Sequence, residues 1–227
     1  MKITIDDLKP IKNLAIARLY FNKDLPQYED ALRRTAGLAK ELELVERITM
    51  PTASGLAVDM ARNRIVLQCL QAGDVDAIIW IDTDMIVPDD AISRLVQMSN
   101  AGHLIAAGVY RRARPPYQLL VKDDNGTIEI DVLEDKLNGA DVVPVTVCAG
   151  GYSIVRMELY KAMQVPCYCN WDFVSGQGET GEDRFFLLRA AELGVKPVVD
   201  PFLGAVHWSA FGPIPTRRGQ PEMKHVI

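Results

Sequence analysis

The chain has 227 residues, 48% of them hydrophobic and 24% charged, with a formal net charge of −5. That composition describes a soluble globular protein of one large domain or two small ones, long enough to bury a core without covalent staples. The acidic balance argues against a general surface for nucleic acid or anionic membrane, no apolar run is long enough to span a bilayer, and MKITIDDLKP lacks a signal-peptide pattern, so a cytoplasmic location is expected.

Asn13 to Phe21 reads as a strand. A helix follows over Tyr28 to Leu42, where Ala31, Leu32, Ala36, Ala39 and Leu42 make an apolar stripe. Leu44 to Met50 is a second strand, Pro51 to Gly55 a turn, and Val58 to Ala72 a helix stopped by Gly73. Ala77 to Ile81 is a short, wholly apolar strand. Pro88 and Asp89 start a helix that continues through Ala91 to Met98, and Leu104 to Tyr110 is another strand. Gln118 to Val132 suggests a hairpin turning at Asn125-Gly126. Val142 to Cys148 reads as a strand, then come Gly150-Gly151 and a helix through Met163. Glu182 to Leu193 is helical, and Lys196 to Val199 a last short strand. Strand and helix alternate early and hairpin signals come later, which predicts an α/β fold with a mostly parallel sheet and antiparallel additions. Cys69, Cys148, Cys167 and Cys169 lack the paired spacing of a structural zinc site and read as reduced thiols.

The strand Ala77 to Ile81 is followed at once by Asp82 and Asp84, with Asp89 and Asp90 beyond Pro88. A strand apolar on both faces belongs at the centre of a covered sheet, and ligands of open α/β sheets gather at the carboxyl ends of such strands. With one residue between them, Asp82 and Asp84 can reach a common cation, and a divalent ion would relieve their repulsion and accept phosphate oxygens. The triplet alone is common; Asp74-Val75-Asp76 repeats it upstream as a solvated turn. Further along, glycines around Glu179 make a mobile loop before Glu182 and Asp183 open a helix. Such acidic residues often serve the helix dipole, and they can also supply a general base. His207, after an apolar run, could complete a metal shell and favour Mn²⁺ over Mg²⁺. Gly150 and Gly151 permit close approach of backbone to a sugar or acceptor.

Taken in order, Ala61-Arg62-Asn63 on a helix, Asp82-Thr83-Asp84 after a strand, Gly150-Gly151, Gly181-Glu182-Asp183 before a helix and a late His207-Trp208 resemble the nucleotide-sugar-dependent glycosyltransferases of the GT-A fold, nearest in pattern to the family 2 inverting enzymes. The resemblance runs from Asn13 to Trp208. It implies one GT-A-like, Rossmann-like catalytic domain over 1–208, with helices on both faces of the sheet, and a flexible tail or lid over 209–227. It implies a hexosyltransferase using Mn²⁺ or Mg²⁺ and a nucleotide-diphosphate sugar, a UDP-sugar being favoured, with inversion at the transferred carbon. Asp84 would ligate the metal directly, Asp82 would face the ribose or ligate through water, and His207 would complete the shell. Asp183 would be the base, with Glu182 contacting the acceptor or orienting the loop. Arg62, Asn63 and Arg64 would approach the donor diphosphate, for which an arginine fork is suited. The first strand departs from the family by lacking its Pro-x-Tyr/Phe-Asn form.

Two other classes compete. A haloacid-dehalogenase-type phosphohydrolase also places Asp-x-Asp after an apolar strand, though near its domain's start, and a non-catalytic sugar-binding protein could share the fold. Trp171, Trp208 and Tyr152 could stack on a sugar. The run Tyr110 to Tyr117 mixes cations and aromatics, so a hydroxymethylated DNA base stands behind a glycan or small molecule as acceptor.

Overall fold

A computed structural model describes residues 8–20, 26–172, 178–179, 181–209 and 212–216. β1 (Asn13–Tyr20) leads to α1 (Pro26–Glu41), after which β2 (Arg47–Thr49) and β3 (Thr52–Ser54) lie parallel to the first and second halves of β1. α2 (Val58–Ala72) returns the chain to β4 (Ala77–Ile81), also parallel to β1. Then follow β5 (Met85–Ile86), α3 (Ala91–Asn100), β6 (Ile105–Val109) and the hairpin of β7 (Val121–Asp123) and β8 (Gly126–Thr127). α4 (Ile130–Lys136), β9 (Val143–Pro144), β10 (Val147–Cys148), β11 (Tyr152–Arg156) and α5 (Met157–Met163) continue the chain. It closes with β12 (Trp171–Asp172), β13 (Gly178–Glu179), α6 (Glu182–Glu192), β14 (Val198–Gly204), β15 (Val206–Ser209) and β16 (Gly212–Ile214).

The main sheet has eight strands in the order β2-β1-β4-β11-β6-β14-β9, with β3 also on β1. Most run parallel; β11 is antiparallel to both β4 and β6, and β9 to β14. Alternation along β4 explains the layering, because successive side chains leave opposite faces. Ile78 and Trp80 join a cluster with Ile65 of α2, Tyr160 of α5 and Phe186 of α6. Ala77, Ile79 and Ile81 join another with Leu32 of α1 and Leu95 of α3. All five residues of β4 are therefore buried, and both faces of the sheet carry helices.

α2 keeps its predicted bounds, and Gly73 ends it at φ 75°, where its N–H bonds the Cys69 carbonyl at 3.2 Å. Elsewhere the structure corrects the expectations. Pro51 to Gly55 is no simple turn, since Thr52–Ser54 extends the sheet. The hairpin ends before Ile130, where α4 begins. Val142 to Cys148 is two short strands in different sheets: Val145 N–H still bonds the Pro197 carbonyl beside β14, and Thr146 N–H already bonds the Lys122 carbonyl of β7. The helix after Gly151 is preceded by β11, a central strand of the sheet. Of the predicted tail, Gly212–Ile214 pairs with β15, and Thr216 is fully buried with its hydroxyl on the carbonyls of Val109 and Ala205. Residues 217–227 lie outside the described residues, as do 173–177 and 180 of the expected mobile loop.

Tyr152 is fully buried and is no sugar-stacking surface. Its ring lies against Gly108 near the end of β6, where an added Cβ would fall 2.1 Å from a ring carbon and 2.5 Å from the Leu203 carbonyl oxygen. Gly108→Ala is expected to destabilise the fold by about 3 kcal/mol, since ring and backbone both resist displacement. A urea midpoint equal to the wild type would contradict this packing.

Candidate active site

The polar end of β4 is built by hydrogen bonding that carries the ladder one residue beyond the strand. Asp82 N–H donates to the Gly151 carbonyl at 3.0 Å, and Met85 N–H donates to the Asp82 carbonyl at 3.0 Å, closing a turn. The short strand β5 then pairs with β15, whose register sets His207 opposite Met85. Trp208 N–H donates to the Asp84 carbonyl at 2.7 Å, which tightens the same corner. Residues more than a hundred positions apart in sequence meet here.

His207 Nε2 lies 3.1 Å from Asp84 Oδ2, while its Nδ1 lies 2.8 Å from the Arg111 carbonyl oxygen. A carbonyl only accepts, so Nδ1 carries a proton. Neutral His207 would then present its Nε2 lone pair to a carboxylate oxygen, which is repulsive. The pair needs either a second proton on the ring or a cation between nitrogen and oxygen. The first alternative is reflected in the titration of His207. Burial pulls it down, but the hydrogen bonds to Asp84 and the Arg111 carbonyl outweigh burial and leave its pKa raised. The second alternative makes Asp84 and His207 a fitting oxygen–nitrogen donor pair for a divalent metal. Asp82 Oδ1 stands 3.3 Å from Arg62 Nη2, and among the described residues no three His, Cys, Asp or Glu side chains form a metal-holding group.

Arg62 is the centre of the other half. Its side chain, only 1% exposed, projects from α2 onto the edge-on pair of Trp80, whose ring is 4.9 Å from the guanidinium, and Tyr168, 5.7 Å from it. Around its edge stand Asp82, Glu182 Oε1 at 3.5 Å and Asp183 Oδ1 at 3.9 Å. Glu182 and Asp183 are delivered by the first turn of α6, which is anchored in the core through Phe186, Leu187 and Ala190. Desolvation raises the Asp82 carboxyl pKa, Arg62 opposing it. Glu182 is pushed up to about 7, first by burial and then by Asp183, with Arg62 pulling the other way.

Gly150 and Gly151 stand against the carboxylates of Asp183 and Asp82. A Cβ on Gly150 would strike the Asp183 carboxylate, and one on Gly151 would strike Asp82 and come within 2.8 Å of Tyr110 Oη. Their bareness makes room for two carboxylates. Gly150 N–H also donates to Asp183 Oδ2 at 3.0 Å. Asp183 Oδ1 is buried without a hydrogen bond, yet the side chain is 32% exposed, so its exposed part excludes Oδ1.

Comparisons with known proteins give the fold an external reference. No protein-family model and no curated protein matches the sequence. Among solved structures, A197 from STIV superposes with a TM-score of 0.58 at 15% identity, covering 96% of this chain and 100% of its own. GalNAc-T7, in a crystal structure with UDP, GalNAc and Mn²⁺, superposes with a TM-score of 0.53 at 12% identity over 95% of this chain. The fold is GT-A-like. The chain matches 46% of the GalNAc-T7 chain.

On this GT-A-like fold, Asp82, Gly150, Gly151, Glu182 and Asp183 share one strand-end site with Arg62, and Asp84 and His207 sit at its rim. Two predicted donor contacts are not brought there. Asn63 is committed to backbone 104 and 105 residues away, accepting from Cys167 and Tyr168 N–H and donating to the Tyr168 carbonyl at 2.7 Å. Arg64, two positions past Arg62, is exposed on another side of α2. Arg62 itself is too buried to reach a ligand in solvent. Of the Tyr110–Tyr117 run, Tyr110 is buried edge-on against His207 and Arg111 bonds the carbonyls of Thr216 and Tyr117, while Arg112 and Arg114 are exposed. Sequence reasoning missed Trp80 and Tyr168, the aromatic pair against which Arg62 packs. The alternation in β4 places Trp80 on the face of α2, but nothing local marks Tyr168.

Stability should carry the imprint of Glu182. Its pKa is raised in the fold to about 7 from an ordinary 4.5, so its favourable contribution is complete below the ordinary value and is lost as pH rises through about 7. Glu182→Gln is therefore expected to remove part of the decline in urea midpoint between those limits. An unchanged pH slope would contradict the placement of Glu182.

Proposed function

We propose that the chain is a metal-dependent glycosyltransferase that moves a sugar from a nucleotide-diphosphate donor, a UDP-sugar by preference, to an acceptor hydroxyl with inversion. The observation that carries this reading is the pairing, at one strand end of a GT-A-like sheet, of the part-exposed Asp183 carboxylate with the Asp84–His207 couple, whose contact suits a bound cation. The UDP and Mn²⁺ of the GalNAc-T7 structure support the same cofactors here.

Asp84 and His207 would hold Mn²⁺ or Mg²⁺, whose positive charge would stabilise the departing diphosphate. Asp183 accepts the proton of the acceptor hydroxyl at Oδ2 while the acceptor's oxygen bonds the anomeric carbon and the bond from that carbon to the diphosphate breaks. The Gly150 N–H bond fixes the carboxylate's orientation throughout. Glu182, with only 16% of its side chain exposed and turned to Arg62, is poorly placed to be the base. Asp82 would act on the donor side without being a direct ligand. Its contact with Arg62 disfavours the phosphohydrolase alternative, in which it would be the nucleophile.

A glycan or small molecule is the acceptor this reading favours, since Tyr110 and Arg111 are occupied within the protein. Cytoplasmic placement belongs to the same proposal, in keeping with buried thiols at Cys69, Cys148 and Cys167. The test is thermal unfolding with a panel of nucleoside diphosphates, with and without Mn²⁺. A Mn²⁺-dependent rise with one nucleotide is expected; no rise with any of them would refute the reading.

A further inference from the structure

We propose that Arg62 is a positioning residue that holds Asp82, Glu182 and Asp183 from beneath the cleft, rather than a ligand of the donor diphosphate. Its catalytic consequence rests on the transferase reading; its electrostatic effect does not. The guanidinium is 1% exposed and packed against the Trp80–Tyr168 pair, so it has no open path to a phosphate in solvent. Its Nε and Nη1 make no hydrogen bond, and neither does the buried Asp183 Oδ1 facing it. A guanidinium with unfilled donors is costly to bury, and charge is what retains it here. Burial lowers its pKa, but Asp82, Asp183, Tyr168 and Glu182 together more than reverse this, and the group stays cationic.

The titratable groups facing Glu182 and Asp183 come from five elements or their ends. They are Arg62 on α2, Asp82 after β4, Tyr110 after β6, Cys148 on β10 and Tyr168 before β12. Burial pushes Cys148 up to about 12 and both tyrosines well above their ordinary value, so these three are neutral near pH 7. Arg62 then supplies the positive charge that lets three carboxylates stand around one slot. A neutral side chain there would leave them to repel one another, and protons would be taken up at higher pH.

The two roles for Arg62 predict different measurements. The experiment is a substrate-free carboxyl ¹³C NMR titration of the wild type, Arg62→Met, Arg62→Gln and Arg62→Lys, alongside the pH profile of nucleotide-sugar consumption. In the Met and Gln variants the Glu182 and Asp183 midpoints should rise by about one to two pH units. The acid limb of kcat/KM should move with them, the donor KM on the alkaline plateau should stay near wild type, and Lys should restore most of the shift. Two neutral variants guard against one failing to fold. Unmoved midpoints, or a higher donor KM with an unmoved pH profile, would overturn the proposal. Shifted midpoints in a protein whose wild type consumes no nucleotide sugar would uphold the electrostatic role and sink the transferase reading alone.

Discussion

Asp183→Asn is expected to lower sugar transfer by about 10²–10⁴-fold while leaving donor affinity close to wild type. An amide cannot take a proton from the acceptor, but its oxygen can still accept the Gly150 N–H bond that Oδ2 accepts now. The substitution therefore removes the base with little disturbance to the loop or to the first turn of α6. Initial rates at saturating donor, with calorimetric binding of the nucleoside diphosphate as control, would check it. Transfer at the wild-type rate would exclude Asp183 as the base.

The second large effect concerns the rim. Asp84→Ala and His207→Ala should each weaken Mn²⁺-dependent nucleotide binding by at least about 100-fold, because even partners outside the metal's own shell can matter that much. The cost to folding should be small, since the Asp84 side chain is 51% exposed and such a pair contributes little to stability. Calorimetric titration of nucleoside diphosphate in Mn²⁺ against the same titration in chelator would measure the loss. If both variants retained the metal response, the ion would be held elsewhere and the Asp84–His207 contact would be only an ion pair.

The fold was legible where one element has one strong pattern. β4 and α2 keep their expected bounds because one is continuously apolar and the other ends at a glycine in the left-handed region. β11 was hidden because Tyr152–Arg156 runs into α5 with no breaker between them, so strand and helix read as one apolar segment. Asp84 and His207 were visible as metal-binding types, and their approach through β5 and β15 follows from pairing that no local signal encodes. Arg62 and Asn63 illustrate the limit most clearly. Both are chemically suited to a diphosphate, yet tertiary packing turns one into a buried cation and the other into a clamp on Cys167 and Tyr168. Residue type suggested the chemistry, and only the fold decided which groups face solvent.

The most direct test of the central claim is release of nucleoside diphosphate from a panel of nucleotide sugars in Mn²⁺, read by chromatography, with Asp84→Ala as control. Even without an acceptor, water can slowly take the place of the hydroxyl. The account predicts Mn²⁺-dependent release from a preferred donor, abolished in the variant; equal background release by both proteins from every donor, with acceptor glycans present, would contradict it.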